Sequence, residues 1–228
     1  MTISQYMTNS HKARNPKASP TKARRERESL ERRDAILAAA RNVFFENGIH
    51  RATVDDVAAH AEVAKGTVYL YFESKETLLA HLLLEGLDAL GEQLAEAFAE
   101  NHPFTAEQRL RRLASAYLDF FENEPDYFRL MMALDRGQFQ EAISTELHQQ
   151  IMTRSINGLG WVVRAIDQGV TDSDFAVADS KSAAGVFWAA INGALVLMSH
   201  PIRREMLQQS VESLYTGVME LMLKGMKK

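Results

Sequence analysis

Apolar positions recur at three- and four-residue spacing along most of the chain, and no stretch alternates convincingly with period two. An all-α fold without a sheet is therefore predicted. From about Leu30 the first stripe runs through Ile36, Leu37, Ala40, Val43 and Phe44, with Arg33, Arg41 and Glu46 assigned to the outer face. Gly48 ends this helix as the left-handed residue after its cap, which lets Ile49 pack back on Phe44. Val54, Val57, Ala58 and Ala61 follow behind Thr53, and Asp56 three residues on completes a capping-box-like start. After a brief break at Glu62, Val63 and Ala64, Val68 and Phe72 give the inward face of a second short helix. Two short helices joined by a tight turn bury little alone. They need the first helix beneath them, and together the three form a domain at 30–75.

The next stripe, from Ser74 to about Asn101, includes Leu78, Leu82, Leu90, Leu94 and Phe98 and is read as one continuous helix shared by two domains. Its His81 and Glu85 are four apart, but no third metal ligand accompanies them at helical spacing. Further helices are predicted from Thr105 to Asn123, after Pro125, and from about Phe139 to Gln168 with a weakness at Gly158 and Gly160. Asp172, Ser173 and Asp174 signal a turn. The segment Ala183 to Met198 has Asn192 as its one polar residue. At about 16 residues it falls short of the roughly 20 that a membrane span needs, so burial on two sides, one of them against another subunit, is expected. A last stripe from Arg203 to about Leu223 carries Leu207, Val211, Leu214, Val218 and Leu221. Residues 76–228 are thus expected to form a larger helical domain.

Composition narrows the chemistry. The 228 residues are 46% hydrophobic and 25% charged and contain no cysteine, which removes disulfides, thiolate metal sites and a cysteine nucleophile. No apolar signal segment opens the sequence, so a cytoplasmic location without membrane attachment is expected. The net charge of −4 hides an asymmetry: residues 1–75 hold 13 Lys+Arg against 9 Asp+Glu, and the remainder holds 13 against 21. A basic end beside an acidic body fits a protein of which one part meets a polyanion. Residues 1–29 are polar, contain Pro16 and Pro20, and concentrate lysine and arginine. They read as a disordered basic segment, either an inert tail or an arm that follows DNA phosphates.

The polar edge of the second short helix suits DNA. Lys65, Gly66 and Thr67 allow close approach to a major groove, and Tyr69 and Tyr71 bring hydroxyls within reach of phosphate oxygens. Ser74 caps the following helix and puts Lys75 in its first turn, where free amides already favour an anion. The run KGTVYLYFESKETL, Lys65 to Leu78, with the apolar helix and turn before it, resembles the helix-turn-helix of the tetracycline-repressor-like (TetR) family of bacterial transcription regulators. Glu62 stands where the family usually turns on glycine, and Ala64 where a serine or threonine usually caps. The resemblance implies DNA contacts from Thr53, Lys65, Gly66, Thr67, Tyr69, Tyr71 and Lys75.

It also implies a homodimer closed by a four-helix bundle, two helices from each subunit. On the two apolar stripes that places Val186, Ala190, Gly193, Leu197, Leu214 and Val218 at the interface and makes the operator an inverted repeat. Family members commonly bind an inducer among the middle helices. Here Tyr117, Phe121, Phe128, Met131, Met132, Trp161 and Trp188 are the candidates to hold a small apolar or aromatic effector. No GxxxxGK[ST], GxSxG or HExxH motif is present, no pair of Glu-x-x-His motifs, and no cofactor is implied. The expected function is a one-component regulator, a repressor released from its operator by an effector. The alternative is a helical ligand-binding or interaction protein of the same fold that has lost specific DNA binding.

Overall fold

The computed structural model describes residues 20–134 and 138–227, and the expectation for residues 1–19 lies outside them. Helix α1 spans Pro20–Asn47. Residues 20–29 therefore correct the expectation of a disordered segment. Their side chains from Lys22 onward are exposed, so burial does not order them. A proline suits a first helical turn, the pairs Lys22–Glu26 and Arg24–Glu28 are spaced i,i+4, and the turns simply extend a helix nucleated by the core further on.

Ile36, Leu37, Ala40, Val43 and Phe44 of α1 are buried beneath α2 (Val54–His60) and α3 (Lys65–Tyr71). Gly48 has φ 82°, and the amides of Arg51 and Ala52 both bond its carbonyl. Arg33 and Arg41 do not face solvent as expected. Both lie against α4 (Lys75–Phe98), where Arg33 contacts His81 and the Phe72 ring, and Arg41 pairs with Glu85 at 2.7 Å. The two candidate metal ligands on α4 are thus each engaged by an arginine of α1.

The far end of α4 is held just as firmly. Arg109 of α5 (Ala106–Asn123) is buried, lies 4.3 Å over the Phe98 ring, and donates to the carbonyls of Phe98, Ala99, Glu100 and His102. A cation on the last carbonyls of a helix satisfies groups that have no partner within it and opposes the negative end of its dipole. Helix α5 starts as the sequence implies, on a capping box between Thr105 and Gln108.

Beyond α6 (Pro125–Leu134), the expected helix from Phe139 to Gln168 is two. Short α7 (Gln138–Glu141) is separated from α8 (Thr145–Thr171), which Ser144 starts by accepting from the Leu147 amide at 3.2 Å. Helix α8 continues unbroken through Gly158 and Gly160. The last stripe also divides. Gln208 takes a left-handed conformation, φ 50°, after α10 (Pro201–Leu207), and Ser210 caps a separate α11 (Val211–Met226).

Helix α9 (Ser180–Met198) begins three residues earlier than expected, capped by Asp179. At 19 residues it is, by length and composition, apolar enough to cross a membrane. In the fold it packs between α8 and α11, and Ala184, Phe187, Ile191, Ala194, Leu195 and Met198 are buried. Among the described residues the one extended pairing is an isolated bridge between Phe175 and Lys227.

Candidate nucleic-acid interface and adjoining cavity

Helix α2 is started by a reciprocal box. The Thr53 amide donates to Asp56 Oδ2 at 2.8 Å, and the Asp56 amide donates to Thr53 Oγ1 at 3.3 Å. The Thr53 hydroxyl also donates to Asp56 Oδ2, and that bond, with the donation from the Thr53 amide, holds the Asp56 carboxyl below the ordinary aspartate range. The turn is then made without glycine: Glu62 adopts φ 53°, at a cost of about 1 kcal/mol or more for a non-glycine residue. Ala64 offers no side-chain bond to α3. The buried Val68 and Phe72 hold α3 onto α1 and α4 instead.

The opposite side of α3 is open. Lys65, Gly66 and Tyr69 lie on it, and a Cβ at Gly66 would meet nothing within 4 Å, so that glycine is not needed by this protomer's own packing. Leu70 stands beside them with 82% of its surface exposed. Sequence reasoning passed over it as one more apolar residue. The available signal was its offset of two from both Val68 and Phe72, which turns it to the other face of a helix. Lys65 is held by Asp55 across α2 at 2.9 Å, which raises its pKa.

Besides Lys65 with its exposed ion pair, three of the candidates are tied to the protein. Thr53 is committed to its cap. Tyr71 is half-buried and accepts from the Ser29 hydroxyl at 3.4 Å. Lys75 donates to the Ala52 carbonyl at 2.6 Å beside the Phe44 ring. Thr67 is half-buried. The exposed edge is therefore Lys65, Gly66, Tyr69 and Leu70.

Helix α4 connects this unit to the rest. Leu78, Leu79 and Leu82 close the core under α2 and α3, while Leu83, Leu87, Leu90, Gly91 and Leu94 line a cavity of about 380 Å³. Tyr127 of α6 ties the same region together. Its ring meets Phe45 of α1 edge-on at 5.1 Å and its hydroxyl donates to Glu85 at 3.3 Å. Gly86 permits this, since a Cβ there would lie 2.7 Å from the Tyr127 ring. Met131 packs on both the N-terminal core and the larger one, and it also lines the cavity.

Of the seven effector candidates, Tyr117, Met131, Met132 and Trp188 line that cavity. Phe121, Phe128 and Trp161 do not. Phe121 and Phe128 pack edge-on against each other at 4.8 Å, and Trp161 packs on Phe98 at 4.9 Å, so these three rings fill core. Burial pushes the Tyr117 hydroxyl pKa up, and the hydroxyl donates to Asn192 Oδ1 at 3.0 Å. Asn192, the one polar residue of the 183–198 segment, thus serves the buried tyrosine of the cavity wall. Polar side chains at the lining also come from His148, Arg154 and Ser155 of α8, none of which the sequence reading singled out.

A family profile, "Bacterial regulatory proteins, tetR family", matches residues 36–82, the end of α1 through the first turns of α4. Residues 36–82 thus match the helix-turn-helix domain of the TetR family. Two relatives sharing it are the HTH-type transcriptional activator FasR of Mycolicibacterium smegmatis, 34% identical over 46% of this chain, and the fatty acid metabolism regulator protein of Bacillus subtilis, 35% over 39%. The chain spans about half the length of these curated relatives, 47% and 45%. The TetR-family likeness in fold runs further. The structure of the Bacillus subtilis regulator FadR in complex with stearoyl-CoA superposes with a TM-score of 0.65 at 24% identity, over 84% of this chain and 98% of that one. A Rhodococcus tetR-family protein superposes with 0.66 at 22%, over 86% and 97%.

The larger domain leaves one apolar face uncovered. Val186 and Gly193 of α9 are exposed, with Ala190 and Leu197 half-buried beside them. On the adjoining α11, Gly217 and Leu221 are exposed and Leu214 and Val218 half-buried. All six residues expected at a dimer contact lie on the accessible side of these two helices.

Proposed function

We propose that this protein is a homodimeric one-component transcription regulator. Two copies of α3 hold the half-sites of an inverted-repeat operator, and an apolar effector entering the cavity releases them. The observation that carries this reading is the double duty of α4, whose first turns close the helix-turn-helix core while its middle walls the cavity. An effector changes operator affinity only through different contacts with the DNA-competent and DNA-incompetent arrangements, and a wall shared with the DNA-binding unit supplies such a difference. The Arg41–Glu85–Tyr127 joint and Met131 extend the connection to α1 and α6. We read the protein as a repressor, whose release by the effector would free the promoter. Among its relatives FasR is called an activator and the Brucella suis BepR a repressor, so family alone favours neither sign. A largely apolar cavity of about 380 Å³, beside relatives named for fatty acid metabolism, supports an acyl chain as the effector's body. A regulator of this kind works where the chromosome is, in the cytoplasm.

The rival reading, a helical binding protein that has lost specific DNA binding, draws on the strained Glu62 turn and the uncapped α3. A gel shift of fragments of the source genome, with and without laurate, separates the two. Retention of a discrete fragment that laurate weakens supports regulation. Equal, weak retention of all fragments by folded protein supports the rival.

A further inference from the structure

The apolar lining of the cavity is interrupted by a charged group. Arg154 is, among the described lining residues, the one arginine or lysine. Its Nε donates to Asp88 Oδ1 at 2.6 Å, which bridges α8 to the middle of α4, and its Nη1 reaches only the Gln150 carbonyl at 3.5 Å. Nη2 has no partner among the described contacts. One edge of the guanidinium thus remains available, beside Ser155 on the lining. The Arg154 side chain is itself 33% exposed, and Met152 and Ile156, two residues either side on α8, line the cavity at 44% and 60% exposure, so the charged group stands at the mouth rather than the floor. Trp188 of α9, 43% exposed, also lines the cavity.

Such a site has a chemical preference. A wholly apolar ligand fills the cavity but gains nothing from the guanidinium, whereas a carboxylate or phosphate can accept from a planar fork in charge-assisted bonds. Asp88 now occupies part of that fork, and at 54% side-chain exposure it is readily solvated when displaced. An ion pair so exposed is weak and yields to a better-placed anion. Its position gives the exchange a consequence, because Asp88 directly follows Leu87 and lies about one turn before Gly91, both of the cavity wall, on the helix that also closes the helix-turn-helix core.

We propose that the effector is an amphipathic anion, with an apolar chain in the cavity and a carboxylate or phosphate on Arg154, and that its arrival opens the Arg154–Asp88 latch between α8 and α4. The proposal rests on the effector reading above and deepens it. It makes the signal an exchange of partners by one guanidinium.

The test compares laurate, lauroyl-CoA and methyl laurate, below their aggregation limits, by calorimetry and by tryptophan fluorescence, which the lining residue Trp188 contributes. In the native chain at least one of the two anions should bind roughly tenfold or more tighter than the ester. Tighter laurate identifies the carboxylate as the group held, and preference for lauroyl-CoA alone identifies phosphate. Arg154→Gln should erase the preference and leave ester affinity within about twofold, while Arg154→Lys retains part of it. Asp88→Asn, which removes the internal competitor, should tighten the anion and leave the ester unchanged. Equal binding of all three ligands by the native chain and Arg154→Gln overturns the anion site and leaves the apolar cavity reading intact. A normal preference with no response to Asp88→Asn overturns the latch. Failure of all three to bind removes this inference and the acyl-chain effector together.

Discussion

Gly193 offers a test of the dimer in which the two competing outcomes have opposite signs. It lies inside α9, and a Cβ built on it meets nothing within 4 Å of the same protomer. Within one subunit, Gly193→Leu therefore has no clash to overcome, and it should stabilise the helix by about 0.5–1 kcal/mol because leucine loses less backbone freedom than glycine on folding. If α9 meets its copy across a twofold axis, the same side chain is introduced twice into a close contact. Overpacking costs about 1–3 kcal/mol per site, hence about 2–6 kcal/mol for the pair, or roughly 30-fold to 10⁴-fold in the dimer dissociation constant. Sedimentation velocity across a dilution series reads the second effect, and thermal unfolding of the dilute protein reads the first. The expected variant is a monomer at concentrations where the native chain is dimeric, at least as helical, and deficient in operator binding. A variant that remains dimeric and merely melts higher would refute the interface.

Three further outcomes follow from named contacts. Burial and the neighbouring Arg33 push the pKa of His81 down to about 4. A histidine held neutral in the fold but free to protonate when unfolded contributes stability that is complete above about 6.5 and lost as pH falls toward 4. Given its partial exposure, unfolding at pH 5 should show a loss of about 1 kcal/mol that His81→Gln lacks. Arg109→Met should cost about 3 kcal/mol or more in denaturant unfolding by stranding the terminal carbonyls of α4, and a change under about 1 kcal/mol would contradict the assigned cap. Lys65→Ala should weaken the operator while changing random DNA less, whereas Lys75→Ala should lower folding stability as well as DNA affinity, because its ammonium is already bonded to Ala52. Unaltered operator affinity in both variants would remove these lysines from the interface.

Local rules carried the sequence reading furthest where local groups decide the structure. The Thr53–Asp56 box, the Gly48 ending and the Thr105 start are each decided by residues within four positions, whereas the left-handed Glu62 was located through the resemblance. The breaks that it missed, at 142–144 and at Gln208, interrupt apolar periods that run on regardless. There the chain turns on a serine cap or a single left-handed glutamine, without glycine or proline to mark it. The early start of α1 was missed because burial was used to judge turns that depend on helix extension and ion pairs. The cavity was half legible. Aromatic and methionine content located the helices that build it, but composition does not distinguish a ring facing space, such as Trp188, from one facing another ring, such as Phe128. Arg154 was invisible in that reading, since its meaning depends on Asp88, 66 residues earlier.

The most direct test of the account is retention of fragments of the source genome by the full chain, followed by footprinting of whatever is held. The account predicts a discrete site with two protected half-sites in inverted repeat, their centres about one helical turn or a multiple of it apart, lost on Lys65→Ala. Retention that follows fragment length alone, with no footprint and no response to that substitution, would contradict it.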